Sequence, residues 1–243
     1  MHDGETAGAT VDVWVAPLDV PPPVLAALAS SLAGAERARA ERYRHPADAR
    51  RFSAARGWLR HVLGAELGIA PPAVPVDDAA GKPHLAGGLA PCFNLSHAGE
   101  LALIAVAMGE VGVDVEPESA GPQGLDALDV VCTRREAALL RRLPPTQRPH
   151  AFLGAWTAKE AYLKAIGVGL GVPPDRVHVG VLGEGGAVPV QAAGEGGPVR
   201  WWMRPLRPAD GYVGAVVMEG RNWAVRLRST AELPLVAVTG RGA

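Results

Sequence analysis

Twice along the chain a long helical pattern gives way to a succession of short β-branched segments, and that double order constrains the fold more than any other feature. The first long pattern covers residues 48–67, with Phe52, Ala55, Leu59, Val62, Leu63 and Leu67 on one apolar stripe. Gly68 and the pair Pro71-Pro72 predict its end. Strands are predicted next at 92–96 and 101–107, joined through His97-Ala98-Gly99-Glu100, and then at 111–116, where Pro117 cannot continue a ladder. The second long helix is predicted over 149–166, with Gly167 and Gly169 placed to stop it. A capping box, Thr133-Arg134-Arg135-Glu136, starts a shorter helix before it, ending near Leu143. Strand patterns then recur at 176–182, 188–191, 199–203, 212–218, 223–227 and 235–238, while 126–131 fits either state. A strand at 11–17 and helical segments at 24–32 and 36–44 open the chain. Helices that precede strand clusters in both halves predict an α+β fold of two lobes rather than a Rossmann sheet, divided as 1–109 and 110–243.

A chain of 243 residues with formal net charge -1 and no long basic block is a poor match for the nucleic-acid backbone. No apolar stretch reaches the ~18 residues of a membrane span, and no leader-like segment opens the sequence, so no membrane partner and a cytoplasmic location are expected. Cys92 and Cys132 provide neither a disulfide framework nor a CxxC metal site. Positive charge is dense only between Arg37 and Arg60, where eight arginines include Arg39, Arg42, Arg56 and Arg60. That cluster suits either solubility or an anion.

In Val113-Asp114-Val115-Glu116 the strand period of two puts both acids on one face and both valines on the other. Two carboxylates on one face repel unless a cation joins them. A solvated face backed by buried valines has the same pattern. On the second long helix, Phe152, Trp156, Glu160 and Lys164 succeed one another at i,i+4, so Glu160 and Lys164 share a face. Glu160 can reach the ion of Asp114 and Glu116, or it can form an ordinary surface pair with Lys164. Hard oxygen ligands without thiolates favour Mg²⁺ over zinc.

Several residues suit a phosphate. Ser96 and His97 close the strand at 92–96, with Asn94 on the same side as Ser96. Lys82 sits in the turn Gly81-Lys82-Pro83, and Lys159 and Lys164 add charge to the long helix, Lys159 pointing away from Glu160. Each has a plain structural explanation as a turn or surface residue.

The blocks Gly81-Lys82-Pro83, Phe93-Asn94-Leu95-Ser96-His97, Gly112-Val113-Asp114-Val115-Glu116 and Trp156-Thr157-Ala158-Lys159-Glu160-Ala161-Tyr162-Leu163-Lys164 occur in an order that resembles the Sfp-type 4'-phosphopantetheinyl transferases. The resemblance covers residues 39–171 and extends more weakly through Gly211-Tyr212. It implies two similar α/β lobes with pseudo-twofold symmetry and coenzyme A in the cleft between them. It implies transfer of the 4'-phosphopantetheine group from coenzyme A to a serine of an apo acyl or peptidyl carrier protein, releasing adenosine 3',5'-bisphosphate. By the same resemblance, Asp114, Glu116 and Glu160 hold Mg²⁺; Glu160, directly or through water, is the leading general base, with a metal-bound water as its alternative, and Lys164 orients Glu160 or assists the leaving phosphate. Arg39, Arg42, Lys82, Ser96, His97, Lys159 and Lys164 match residues around the coenzyme's phosphates. The carrier is expected on another polypeptide and the enzyme as a monomer. Fatty-acid, polyketide, siderophore and nonribosomal-peptide carriers all remain open. The competing accounts are another Mg²⁺-dependent phosphotransferase or phosphohydrolase, against which stands the lack of a Walker or Rossmann phosphate loop, and a non-catalytic coenzyme A binder.

Overall fold

The computed structural model describes residues 9–78, 81–121, 126–168, 171–179, 187–192 and 200–235. The chain opens with strand β1 (Ala9–Pro17), followed by helices α1 (Pro22–Ser30), α2 (Gly34–Glu41) and α3 (Pro46–Leu67). A small hairpin of β2 (Val76–Asp77) and β3 (His84–Leu85) leads to β4 (Cys92–Ala98), β5 (Leu101–Ala107) and β6 (Val111–Pro117). Then come α4 (Asp126–Val131), α5 (Arg134–Arg142) and α6 (Arg148–Ala165), and the strands β7 (Val177–Val179), β8 (Val188–Ala192), β9 (Trp201–Leu206), β10 (Tyr212–Glu219) and β11 (Trp223–Ser229).

Two sheets carry the fold, in the orders β11-β1-β5-β4 and β6-β10-β9-β8-β7. Within them β1-β5-β4 and β6-β10-β9 repeat one plan: a strand, a long helix, and an antiparallel hairpin whose second strand returns beside the first. The expected α+β architecture and its repeated halves are present. The ambiguous segment 126–131 is helical. The first strand beyond α6 begins only at Val177, because Pro174–Arg176 forms a single 3-10 turn. Predicted strand residues 180–182, 199 and 236–238, and the predicted stop at Gly169, lie outside the described residues; Leu235 is not in a strand.

β11 departs from a simple division of the chain. It pairs parallel with β1, from Ala9 opposite Trp223 to Val15 opposite Ser229, and so belongs to the first sheet. Nothing local in the sequence announces that partner, because a parallel pair needs a crossover rather than a tight turn.

Apolar alternation stacks the layers. One face of the first sheet, with Trp14, Ala102, Ile104 and Phe93, packs on α1 and α3 through Leu28, Trp58, Leu59 and Leu63. Its other face, with Val11, Val13, Leu103 and Ala105, meets Val111, Val113 and Val115 of β6 and Val216 of β10. The second sheet's far face, with Ala215, Val217 and Met203, is covered by Ala158, Ala161 and Tyr162 of α6. β6 therefore buries its valines between the sheets and turns Gly112, Asp114 and Glu116 toward α6.

Gly112 sets how near α6 lies. A Cβ built there would stand 1.9 Å from the carbonyl oxygen of Ala161 and 2.5 Å from the amide nitrogen of Ala165. Neither atom can yield without moving the helix, so Gly112→Ala is expected to cost ~3 kcal/mol through overpacking and to displace Glu160 and Lys164 from β6. Equilibrium unfolding in urea measures this; an unchanged midpoint would mean that the seam has slack.

Candidate active site

The closeness of β6 and α6 brings the predicted acids together with residues of β4. Ser96 ends the buried part of β4, and its hydroxyl donates to Asp114 Oδ1 at 2.7 Å. Lys164, in the last turn of α6, donates to that same Oδ1 at 2.6 Å and to the Ser96 hydroxyl at 2.9 Å. One turn earlier is Glu160, and one turn before that Trp156, whose indole N–H donates to Glu116 Oε1 at 3.3 Å. The i,i+4 stripe on α6 is thus the surface that faces Asp114 and Glu116. Asn94, next to Ser96 on the same side of β4, accepts the backbone N–H of Val113 at 2.9 Å and pins β6 against β4.

Two oxygens here have no hydrogen-bond partner although they are buried: Asp114 Oδ2 and Glu160 Oε1. Orphaned carboxylate oxygens are costly without a cation or a donor. The cost shows in acidity. Burial, followed by the charge of Asp114, raises the pKa of Glu116, with the Trp156 hydrogen bond and Lys164 pulling it back. Burial and then Asp114 raise that of Glu160 as well, Lys164 opposing and Glu116 adding to the shift. Among the described residues, no group of three His, Cys, Asp or Glu side chains forms a ready metal cluster. In this arrangement the Lys164 ammonium supplies the positive charge beside Asp114.

A cavity of about 250 Å³ opens beside this cluster, lined among others by Arg39, Tyr43, Phe52, Ser96, His97 and Lys164. Its walls come from α2, α3 and β4 on one side and α6 on the other, so the site lies where the two halves meet. The Arg39 guanidinium sits 5.1 Å from the centre of the Phe52 ring, an aromatic contact that leaves its charge toward the cavity. His97 keeps an exposed edge on the cavity, and desolvation by the surrounding walls first, then Lys164, Arg39 and Arg51, hold it toward its neutral form. Positive charges crowded around an imidazole mark a place where an anion is welcome, because an incoming polyanion relieves their repulsion.

The other predicted residues are exposed or already paired. Arg42 is exposed just past the end of α2 and does not line the cavity. Arg56, which also lines the cavity, and Arg60 are buried and both bind Glu36, at 2.6 and 2.5 Å; burial alone would raise the pKa of Glu36, but these partners and a backbone bond from Ala33 outweigh it and lower it. Two of the eight clustered arginines are therefore engaged by a carboxylate inside the fold. Lys159 is fully buried on another side of α6, where it ion-pairs with Glu136 at 2.6 Å and donates to the carbonyls of Val177 and Pro174 at 2.7 and 2.9 Å. All three N–H donors of its ammonium are used there, so Lys159 does not face the cavity. Lys82 likewise spends its donors on Glu110, Val111 and Ala165.

Sequence reasoning missed the aromatic walls Tyr43 and Phe52, the Trp156 hydrogen bond, and the counter-charge Glu36. Trp156 had a signal, its place on the Glu160 stripe. Glu36 had none, since its partners are 20 and 24 residues away.

Comparison with known proteins identifies the relatives of the chain. Residues 110–217, from the start of β6 to β10, match the family model of the 4'-phosphopantetheinyl transferase superfamily. The chain is 37% identical over 225 residues to the 4'-phosphopantetheinyl transferase HetI of Nostoc sp., an alignment covering 88% of this chain and 89% of that protein. It is 34% identical over 162 residues to a putative 4'-phosphopantetheinyl transferase of Synechocystis sp., covering 65% of each. A 4'-phosphopantetheinyl transferase of Bacillus subtilis is 26% identical over 157 residues, 64% of this chain and 69% of that one.

Proposed function

The chain belongs to the 4'-phosphopantetheinyl transferase superfamily, and from that premise we propose that the cavity between α3, β4 and α6 holds coenzyme A while the Asp114, Glu116 and Glu160 carboxylates act on its pyrophosphate. The enzyme transfers 4'-phosphopantetheine from coenzyme A to a serine hydroxyl of an apo carrier protein and releases adenosine 3',5'-bisphosphate. We further assign it to the Sfp-type branch, on the order of its motif blocks. The observation that carries the site assignment is the pair of orphaned buried oxygens, Asp114 Oδ2 and Glu160 Oε1, beside a lysine and an arginine-lined cavity.

In the reaction, the carrier serine oxygen bonds to the phosphorus that bears pantetheine. The bond from that phosphorus to the bridging oxygen breaks, and the oxygen leaves on adenosine bisphosphate. Glu160 is the proposed acceptor of the serine proton: burial and Asp114 raise its basicity, and Oε1 carries no competing hydrogen bond. Lys164 donates to Asp114 and Ser96 and places its charge at the cavity wall, where it can stabilise the departing phosphate. Arg39 and His97 are the proposed contacts of the coenzyme's other phosphate, the charge of His97 being induced by the anion it meets.

The donor set fits Mg²⁺, being hard oxygens with two unused lone-pair positions, and Asp114, Glu116 and Glu160 would hold it. When bound, Mg²⁺ supplies Lewis-acid stabilisation of charge on the pyrophosphate. Lys164 then serves as the movable counter-charge that shares Asp114.

The lobes are proposed as 1–109 and 110–243, with β11 returning to the first sheet. A cytoplasmic monomer is proposed on two grounds: among the described residues no helix is long and apolar enough to cross a membrane, and both walls of the cavity come from one chain. Acyl and peptidyl carriers are the proposed partners.

Incubation with coenzyme A, Mg²⁺ and a panel of apo carriers is expected to raise the intact mass of at least one carrier by a single phosphopantetheine group. A folded enzyme that leaves every competent carrier at its apo mass would defeat the assignment.

A further inference from the structure

Lys82 lies in a turn fixed on both sides, by Gly81 with φ of 101° and by Pro83. Its stem passes over Gly167, whose Cβ, if present, would be 3.8 Å from that of Lys82. Gly167 has φ of 71° and is the left-handed residue that ends α6. Beyond it the ammonium donates to the carbonyl of Ala165 at 3.0 Å, the carbonyl of Val111 at 3.0 Å, and Glu110 Oε2 at 2.6 Å. Ala165 is the last residue of α6 and Val111 the first of β6. The side chain is only 16% exposed.

Three consequences follow from that placement. The carbonyl of Ala165 is one of the orphan acceptors at a helix end, and a cation there also meets the negative end of the helix dipole. The same ammonium ties that end to the strand bearing Asp114, so the register between Lys164 and Asp114 has a fixed point one residue from Lys164. And the three N–H donors of the group are all engaged, so binding a coenzyme phosphate would require breaking these bonds.

We propose that Lys82 is a positioning residue: from the first half of the chain it caps α6 and clamps it to β6, and so holds Lys164 and Glu160 in register with Asp114 and Glu116. It acts through those residues, and its ammonium is not a ligand of the coenzyme phosphates. The catalytic half of this inference rests on the transferase reading above; the structural half does not.

The test uses the full-length protein with Lys82→Met and Lys82→Arg. Loss of a charge-assisted hydrogen bond at the helix end is expected to speed amide exchange of Ile166 and Gly167 by ~10-fold or more in Lys82→Met. Carrier loading should lose kcat by ~10-fold or more while KM for coenzyme A stays within about twofold, since the loss is of alignment rather than of binding. Lys82→Arg keeps the charge and the donors, and should recover both readouts to within about threefold. A rise in KM for coenzyme A with exchange and kcat unchanged would make Lys82 a coenzyme ligand and overturn the proposal. Loss of kcat without faster exchange at the end of α6 would overturn it too, as would no change in either. If the wild-type protein loads no carrier, the transferase reading fails by itself; accelerated exchange in Lys82→Met, with recovery in Lys82→Arg, still decides the clamp.

Discussion

Asp114→Ala is expected to lower the rate of carrier loading by ~10²–10³-fold and to leave the residue of activity insensitive to Mg²⁺. The substitution removes the acceptor of both the Ser96 hydroxyl and the Lys164 ammonium, and it removes one of the two orphaned oxygens. Lys164 then faces Glu160 and Glu116 without its nearest counter-charge, and Glu160 loses the second-largest influence that raises its pKa. In the metal-free protein the loss of Asp114 should let Glu160 ionise at lower pH than in the wild type. Initial rates by intact mass over a series of Mg²⁺ concentrations read the first two effects, and a pH titration of the metal-free protein reads the third. An unchanged Mg²⁺ half-saturation with a normal plateau would take Asp114 out of the site. Ser96→Ala, which deletes a donor but no charge, should cost less, and comparing the two separates the hydrogen bond from the carboxylate.

Much of this site is legible in the sequence, for a specific reason. Asp114 and Glu116 share a face because a strand repeats every two residues, and Glu160 and Lys164 share one because a helix nearly repeats every four. Both statements are local, and both survive folding. Legibility fails where the partner is distant. That β6 and α6 touch at Gly112 depends on a seam with Ala161 and Ala165, which no periodicity reveals. That two of the four arginines of α3, Arg56 and Arg60, are spent on Glu36 depends on a bend of the chain between α2 and α3. The strand expected at 223–227 is present as Trp223–Ser229, yet its pairing with β1 joins opposite ends of the sequence. The motif blocks occupy a middle position: their residues are visible in the sequence, but their reason for existing together appears only in three dimensions. Asn94 holds Val113, Ser96 holds Asp114, and Lys82 holds Val111 and Ala165. Four separated stretches meet along one seam of β4, β6 and α6.

Lys159 shows how far a neighbour in sequence can be from a neighbour in function, and it makes the sharper stability prediction. One residue along a helix is a turn of about 100°, so the step from Glu160 to Lys159 leaves the cavity for the core behind α6. There Lys159 and Glu136 are 0% and 1% exposed. Glu136 is also saturated, accepting the N–H of Thr133 at 2.8 Å in the capping box of α5 and the N–H of Val179 at 2.8 Å in β7. One ion pair thereby joins α5, α6 and the edge strand of the second sheet. Lys159→Met would leave a buried carboxylate without its cation, and is expected to cost ~3–5 kcal/mol. For a chain of this length that corresponds to a drop in Tm of roughly 6–20 °C. The double variant Lys159→Met with Glu136→Gln, which removes both charges, should recover a large part of the loss, because the penalty belongs to the unpaired charge more than to the missing bond. Below its unfolding temperature, the single variant should bind coenzyme A with near-normal KM. Thermal unfolding followed by circular dichroism, with KM measured well below the transition, sets the two roles against each other. A normal Tm with a KM raised several-fold would return Lys159 to the coenzyme's phosphates; a large fall in Tm with KM preserved fixes it as the ion that holds α6 in place behind the site.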